Sequence, residues 1–319
     1  MKAWGSRLLS LAVAVGFCLA LDAFFGNLHQ EYLSRMVFLA GLYVILSVSL
    51  NIINGICGQF SIGHAAFYQI GAYATGYLTA TYFADPRSNK HFALWLEQFL
   101  VVMRAHPLLW LVVLMVVGAV ATGIVGIVVG LPSLKLRGDY LAIVTLGFGE
   151  IIRIATINVN EIGGAYGLQG IVKIHPLWLV WLLAIACIAV SRNLLKSAHG
   201  LTFLAVREDE VAASAMGVNT TKTKVVAFIL GSMFAGAAGV LFAHHEGFIT
   251  PDNFKMEISF IILTMVVIGG TGSITGSTLA GIALFSIPEY LRDAKSADGI
   301  PLTVTSAALI ATMISVVVA

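Results

Sequence analysis

Apolar runs of about 20 residues, the length that crosses a bilayer as a helix, recur along this chain and constrain its fold more than any other feature. They fall at 8–25, 36–56, 64–83, 108–130, 140–158, 176–191, 225–246, 257–270, 276–291 and 302–319. The chain therefore reads as an all-α, polytopic membrane helix bundle of about ten transmembrane segments, some broken by glycine. Lipid tails solvate the outside of such a bundle. That suits a composition of 59% hydrophobic and 11% charged residues, since soluble domains hold about 45–50% apolar and about 25% charged residues.

Several classes fall away. A net charge of +2 does not supply the basic face that nucleic acid requires, so no nucleic-acid partner is expected. Cys18, Cys57 and Cys187 are widely spaced in or beside apolar runs. With no CxxC or Cys/His cluster, neither a metal centre nor a disulfide framework is expected, and the thiols read as buried and inert. No nucleophile motif or HExxH stands out, so the chain is not expected to be an enzyme. Lys2 and Arg7 precede an apolar run, but Asp22-Ala23-Phe24-Phe25 offers no small-x-small cleavage site; a retained first helix is expected. With no low-complexity tract and no soluble boundary, residues 1–319 read as a single transmembrane domain.

Lys2 and Arg7 put the N-terminus inside by the positive-inside rule. The main inside loops are then 131–139 and 192–224. Basic residues divide almost evenly between the two sides, so this orientation rests on the N-terminus and on the 192–224 loop. The stretch 84–107 mixes apolar side chains with charges and reads as an interfacial helix.

Glycine is abundant, at 32 residues, and clusters in or beside the spans. Close helix packing accounts for many of them. Two clusters also place polar groups inside apolar stretches: Gly58-Gln59-Phe60-Ser61-Ile62-Gly63-His64 and Gly269-Gly270-Thr271-Gly272-Ser273. Interrupted helices at membrane depth are tolerated only against protein or a water-filled cavity, so both clusters are candidates to line or gate a substrate path. The second lacks the lysine of GxxxxGK[ST], a motif absent from the whole chain. No nucleotide cofactor is therefore expected on this chain.

Ionisable groups within spans are costly and face a bundle interior or cavity. Glu150 and Arg153 lie three residues apart and share a helix face. They read as a structural ion pair, or alternatively as a pair lining a pathway. His64 reads as a hydrogen-bonded packing residue or a proton relay, and Glu289 sits near a span end. A proton-coupled transporter would spread more such groups over several spans.

Within the 192–224 loop, residues 200–217 suggest a short helix of small side chains, with Arg207, Glu208, Asp209 and Glu210 in its earlier turns and Gly217 as a left-handed cap. It suits docking into a groove on a soluble partner, or stands as a solvated loop helix.

Four stretches carry a resemblance: SLNII and GQFSIGHAAFYQIGAY within 49–73, LRGDYLAIVTLGFGEIIR at 136–153, REDEVAA and AMGVN within 207–219, and GFITP, VIGGTGS and PEYLR within 247–292. The chain resembles the LivM-type permease of branched-chain amino-acid ATP-binding-cassette (ABC) transporters. That resemblance implies a heteromeric importer in the bacterial inner membrane. It would pair with a second, LivH-like permease subunit, two cytoplasmic ATPase subunits that use the ATP, and a periplasmic substrate-binding protein. The segment matching the family's coupling helix is 204–217, which would set Arg207, Glu208, Asp209, Glu210, Ala212, Ala213 and Gly217 at an ATPase groove. Gly58, Ser61, Gly63, His64, Gly269, Gly270 and Gly272 would line or gate a path opened by alternating access, and bulky residues at Gly63 or Gly270 would stop uptake while sparing assembly. Leucine, isoleucine and valine are the family's default substrates; similar permeases handle urea, short amides and other amino acids. An ion-coupled secondary transporter or channel working alone is the competing reading. Gly163-Gly164-Ala165-Tyr166-Gly167-Leu168 departs from the family, whose members often have threonine and asparagine there. The chain also stops at Ala319 inside an apolar run, where relatives often carry a polar tail.

Overall fold

The computed structural model describes residues 15–16, 18–20, 22–23, 31–83, 105–133, 139–175 and 177–298. The expected first and last spans, the interfacial helix expected over 84–107, Lys135 and Arg137, and the side chain of Glu289 lie wholly or largely outside these residues.

Among the described residues from Glu31 onward, ten α-helices follow in order: α1 Glu31–Asn51, α2 His64–Leu78, α3 Pro107–Ser133, α4 Asp139–Asn158, α5 Leu177–Lys196, α6 Ala198–Glu208, α7 Glu210–Ala215, α8 Thr220–Glu246, α9 Met256–Gly269 and α10 Ile274–Asp298. Among the described residues the sole β pairing is an isolated bridge between Leu168 and Ile249. Two helices end in π-helical turns, α1 through Ile52–Ile56 and α2 through Thr79–Phe83. Each of the eight expected spans from 36–56 to 276–291 coincides with a helix. Five of them (α1 with its π turn, α3, α4, α5 and α8) are long and apolar enough to cross a membrane by length and composition. The count of ten is not reached among the described residues: α2 and α9 are short, and α10 is apolar only up to Pro288.

Burial sorts the helices. In their most apolar windows α1 is 78% buried and α8 67%, whereas α4 is only 22% buried. α1 and α8 thus form the centre, and α3, α4 and α5 show apolar outer faces. α8 packs along α3 and α2, and α1 takes α10, α5 and α9.

Glycine makes the central crossing possible. A Cβ at Gly71 of α2 would fall on the Gly236 carbonyl of α8, one at Gly239 on the Tyr68 carbonyl, and one at Gly236 on the Thr122 side chain of α3. Small residues let backbones touch where lipid provides no hydrophobic drive for association.

The two ends of the bundle differ. One joins the start of α1 to the end of α8 through Arg35, which donates Nε to Glu246 Oε1 at 3.1 Å and Nη2 to Oε2 at 3.2 Å. Just inside it, Trp110 Nε1 donates to Thr79 Oγ1 at 3.2 Å, and Thr79 Oγ1 lies 2.9 Å from His244 Nε2. The other end gathers the π turn after α1, the α9–α10 turn, and helices α6 and α7. Cys18, Cys57 and Cys187 are buried free thiols.

Candidate functional site

The first glycine break leaves α1 through its π turn, turns at Gly58 (φ +73°) and re-enters at His64. Asn54 clamps the loop from both sides: its Nδ2 donates to the Ser61 carbonyl at 3.0 Å and its Oδ1 accepts from the Ser61 amide at 3.2 Å. The Ile62 amide donates to Thr145 Oγ1 of α4 at 3.1 Å, and the Ala65 amide to Ser259 Oγ of α9 at 3.0 Å. A Cβ at Gly63 would fall on the Thr145 carbonyl. A bulky residue at Gly63 therefore displaces α4, a packing effect that the sequence did not disclose. His64 is fully enclosed, with Nε2 2.8 Å from Ser49 Oγ. Ser49 Oγ donates to the Leu46 carbonyl at 3.0 Å, so the imidazole N–H points to Ser49.

The second break joins α9 to α10 through Gly270 (φ +90°) and Gly272 (φ +86°). Ser273 Oγ accepts the Gly276 amide at 3.1 Å and caps α10. Gly269 and Gly276 touch backbone to backbone, since a Cβ at Gly276 would fall on the Gly269 carbonyl. At Gly270 the nearest atom to an added Cβ is Ser273 Cβ at 3.7 Å, so a substitution there meets φ strain rather than a clash.

Two side chains bring these breaks together. Asn51, fully buried at the end of α1, accepts the Gly272 amide on Oδ1 at 2.8 Å and donates Nδ2 to the Ser273 carbonyl at 3.2 Å. Arg207, in the last turn of α6, donates Nη1 to the Gly55 carbonyl of the π turn at 3.0 Å. A Cβ at Gly272 would lie 2.6 Å from the same Nη1, and one at Gly58 would lie 2.9 Å from Arg207 Cγ. Both glycine breaks thus meet the 192–224 loop at one arginine side chain. Gly55 belongs to the junction as well, because a Cβ there would fall on Asn51 Oδ1.

The loop folds as two helices rather than the expected one. Asp209 is extended (φ −154°, ψ 110°), and its Oδ1 accepts the amides of Val211 at 2.8 Å and Ala212 at 3.1 Å. An aspartate competing for backbone donors favours a cap over a helix interior, which splits α6 from α7. Gly217 (φ +84°) ends the second helix, as its sequence position suggested.

Inward-facing Phe203 packs with Ile52, Ile56, Cys57 and Ala227; Val206 and Ala213 are also buried. Leu201, Val211 and Met216 are exposed, Met216 at 84%. The acidic run divides in role. Glu208 lies near Arg207 (Nε–Oε1 3.5 Å) with 75% of its side chain exposed, whereas Glu210 pairs with Lys224 Nζ at 2.7 Å. The Lys224 side chain is only 3% exposed. Replacing Glu210 by glutamine leaves that ammonium uncompensated and is expected to cost about 3–5 kcal/mol. The E210Q/K224M double variant should recover most of the loss; thermal denaturation of the detergent-purified chain measures both.

Asn51, Asn54, Gly55 and Lys224 were not singled out from the sequence. Two asparagines three apart within an apolar span carried a readable signal for the first pair. The expected pair also forms: Arg153 Nε donates to Glu150 Oε2 at 2.9 Å.

Residues 32–318 match the family described as the permease component of branched-chain amino acid transport systems. The chain is 35% identical over 287 residues to the high-affinity branched-chain amino acid transport system permease protein LivM of Salmonella typhimurium, covering 79% of this chain and 62% of that protein. The Escherichia coli LivM gives 34% identity over 287 residues with the same coverage. A probable LivM of Methanocaldococcus jannaschii is 29% identical over 308 residues, covering 85% of this chain and 86% of that one. The matched region thus spans about three-fifths of the two enterobacterial relatives. No solved structure matches the chain.

Proposed function

The chain belongs to the permease-component family of branched-chain amino-acid transport systems, and from that premise we propose that it is one membrane-spanning permease subunit of an ABC importer. Its substrates are the branched-chain amino acids leucine, isoleucine and valine. Its partners are a second permease subunit, two cytoplasmic ATPases and a substrate-binding protein on the far side of a bacterial inner membrane. The ATPases, rather than this chain, bind and hydrolyse ATP.

One observation carries the reading beyond family membership: Arg207 of the loop segment hydrogen-bonds the Gly55 carbonyl and lies against Gly58 and Gly272. A force applied to α6 and α7 by closing ATPases reaches both glycine breaks through a single side chain. The end of the bundle holding α6 and α7 is then cytoplasmic, in keeping with the basic residues of 192–224. Alternating access follows as rocking of the two permease subunits, with the breaks at 58–63 and 269–272 changing shape at the inner gate.

The exposed side chains of Leu201, Glu208, Val211 and Met216 form the proposed docking face. Glu208→Lys combined with Val211→Asp should release the ATPases from complexes pulled down in mild detergent while the second permease subunit stays bound. Retention of the ATPases by that variant counts against the docking face.

A further inference from the structure

Among the described helices long and apolar enough to span, α4 is the least buried, at 22%, and it carries an ion pair near its middle. Glu150 is the twelfth residue of the 20 in α4, about 17 Å from its start at 1.5 Å per residue, close to the midplane of a hydrocarbon core about 30 Å thick. Yet 33% of the Glu150 side chain and 23% of the Arg153 side chain are exposed. Charges at that depth face a bundle interior or water, not lipid. The space beside this flank of α4 is therefore protein-lined or aqueous in the assembled complex.

The surroundings are aliphatic. Ile151 is 65% exposed and Ile154 51%. On the other side of Glu150 a shallow notch is bounded by Ile62, Ala66, Leu146 and Ser259, among others. Resting on the importer reading, we propose that Glu150 and Arg153 are an intermediate binding step for the head group of a zwitterionic aliphatic amino acid. The Glu150–Arg153 hydrogen bond opens; the guanidinium then donates to the substrate carboxylate and the substrate ammonium donates to Glu150. Two charge-assisted interactions replace one, and the site stays neutral throughout. A lone anion or cation would leave one protein charge uncompensated at the midplane, so the pair selects for a molecule carrying both charges. The isoleucines contact the aliphatic side chain.

The test uses the complex purified with its partners and reconstituted in liposomes, with tritiated L-leucine as probe. Glu150→Gln and Arg153→Gln should each assemble with the partner subunits. Leucine moved per ATP should fall by about tenfold or more, the value of one lost charge-assisted hydrogen bond. Unchanged leucine per ATP in both variants overturns the proposal. So does loss of assembly in the single variants with full recovery of assembly and uptake in the charge-swapped E150R/R153E, the behaviour of a packing pair.

A second measurement leaves the pair intact. Ile151→Cys should react with a water-borne thiol reagent, and L-leucine should slow that reaction where leucinamide, which lacks the carboxylate, does not. No labelling, or labelling without protection, contradicts the site. A wild-type complex with no ATP-driven leucine uptake would instead sink the importer reading on which the site depends.

Discussion

Arg207→Ala is expected to cut ATP-driven uptake by about 10–100-fold while leaving the chain in the membrane with its ATPases bound. The lost interaction is a charge-assisted hydrogen bond, worth about 1.5–3 kcal/mol, and each 1.4 kcal/mol is about tenfold in a population. The bond runs from Arg207 Nη1 to the carbonyl of Gly55, inside a π turn that cannot use that carbonyl in a regular α-helical ladder. Assembly is spared because Phe203 and Val206 still anchor α6 and the exposed docking side chains are untouched. Arg207→Lys should fall between wild type and alanine: an ammonium reaches one partner, whereas the planar fork lies against Gly55 and Gly272 together. Initial uptake rates, measured beside ATP hydrolysis, separate this uncoupling from a loss of ATPase binding. Wild-type uptake by Arg207→Ala would remove the junction from the mechanism.

Gly236→Leu should fail earlier, at folding. Gly236 sits where α8 crosses α2 and α3; its carbonyl lies where a Cβ of Gly71 would be, and its own Cβ would fall on Thr122. Overpacking a core commonly costs about 1–3 kcal/mol when side chains can adjust. Here the added Cβ alone would fall on the Oγ1, Cγ2 and Cβ of Thr122, a short stiff side chain, and α8, 67% buried in its most apolar window, runs through the crossing, so the cost should pass about 4 kcal/mol. The expected result is a chain lost from membranes by proteolysis, with neither partner recovered. Gly170→Ala is the contrast: an added Cβ meets nothing within 4 Å, and the penalty is confined to a φ of +80°. Equal abundance of G236L and wild type in membranes would contradict the packing account.

Span positions were legible in the sequence because a bilayer imposes length and hydrophobicity directly, and eight expected spans each met a helix. Relations between spans were not. Gly63 and Gly270 look alike in the sequence as glycines beside polar residues, yet one abuts the Thr145 carbonyl and the other has room. Gly58 and Gly272 lie far apart in sequence, and both lie against Arg207. The acidic run 208–210 read as one docking feature, but the fold spends Asp209 on a helix cap and Glu210 on Lys224, leaving Glu208 outward. Such divisions depend on which partner tertiary packing brings near, and no periodicity carries that. The ion pair of α4 was visible from its spacing; its partly exposed setting on the least buried of the described spans was not.

The most direct measurement of the central claim is transport by this chain purified from native membranes in mild detergent with whatever accompanies it, then sealed into liposomes. The importer account predicts co-purification of ATPases and a second permease subunit. It also predicts leucine uptake that requires ATP on the α6–α7 side and survives collapse of ion gradients. A chain that purifies alone and moves leucine without ATP, or only while an ion gradient lasts, would contradict it.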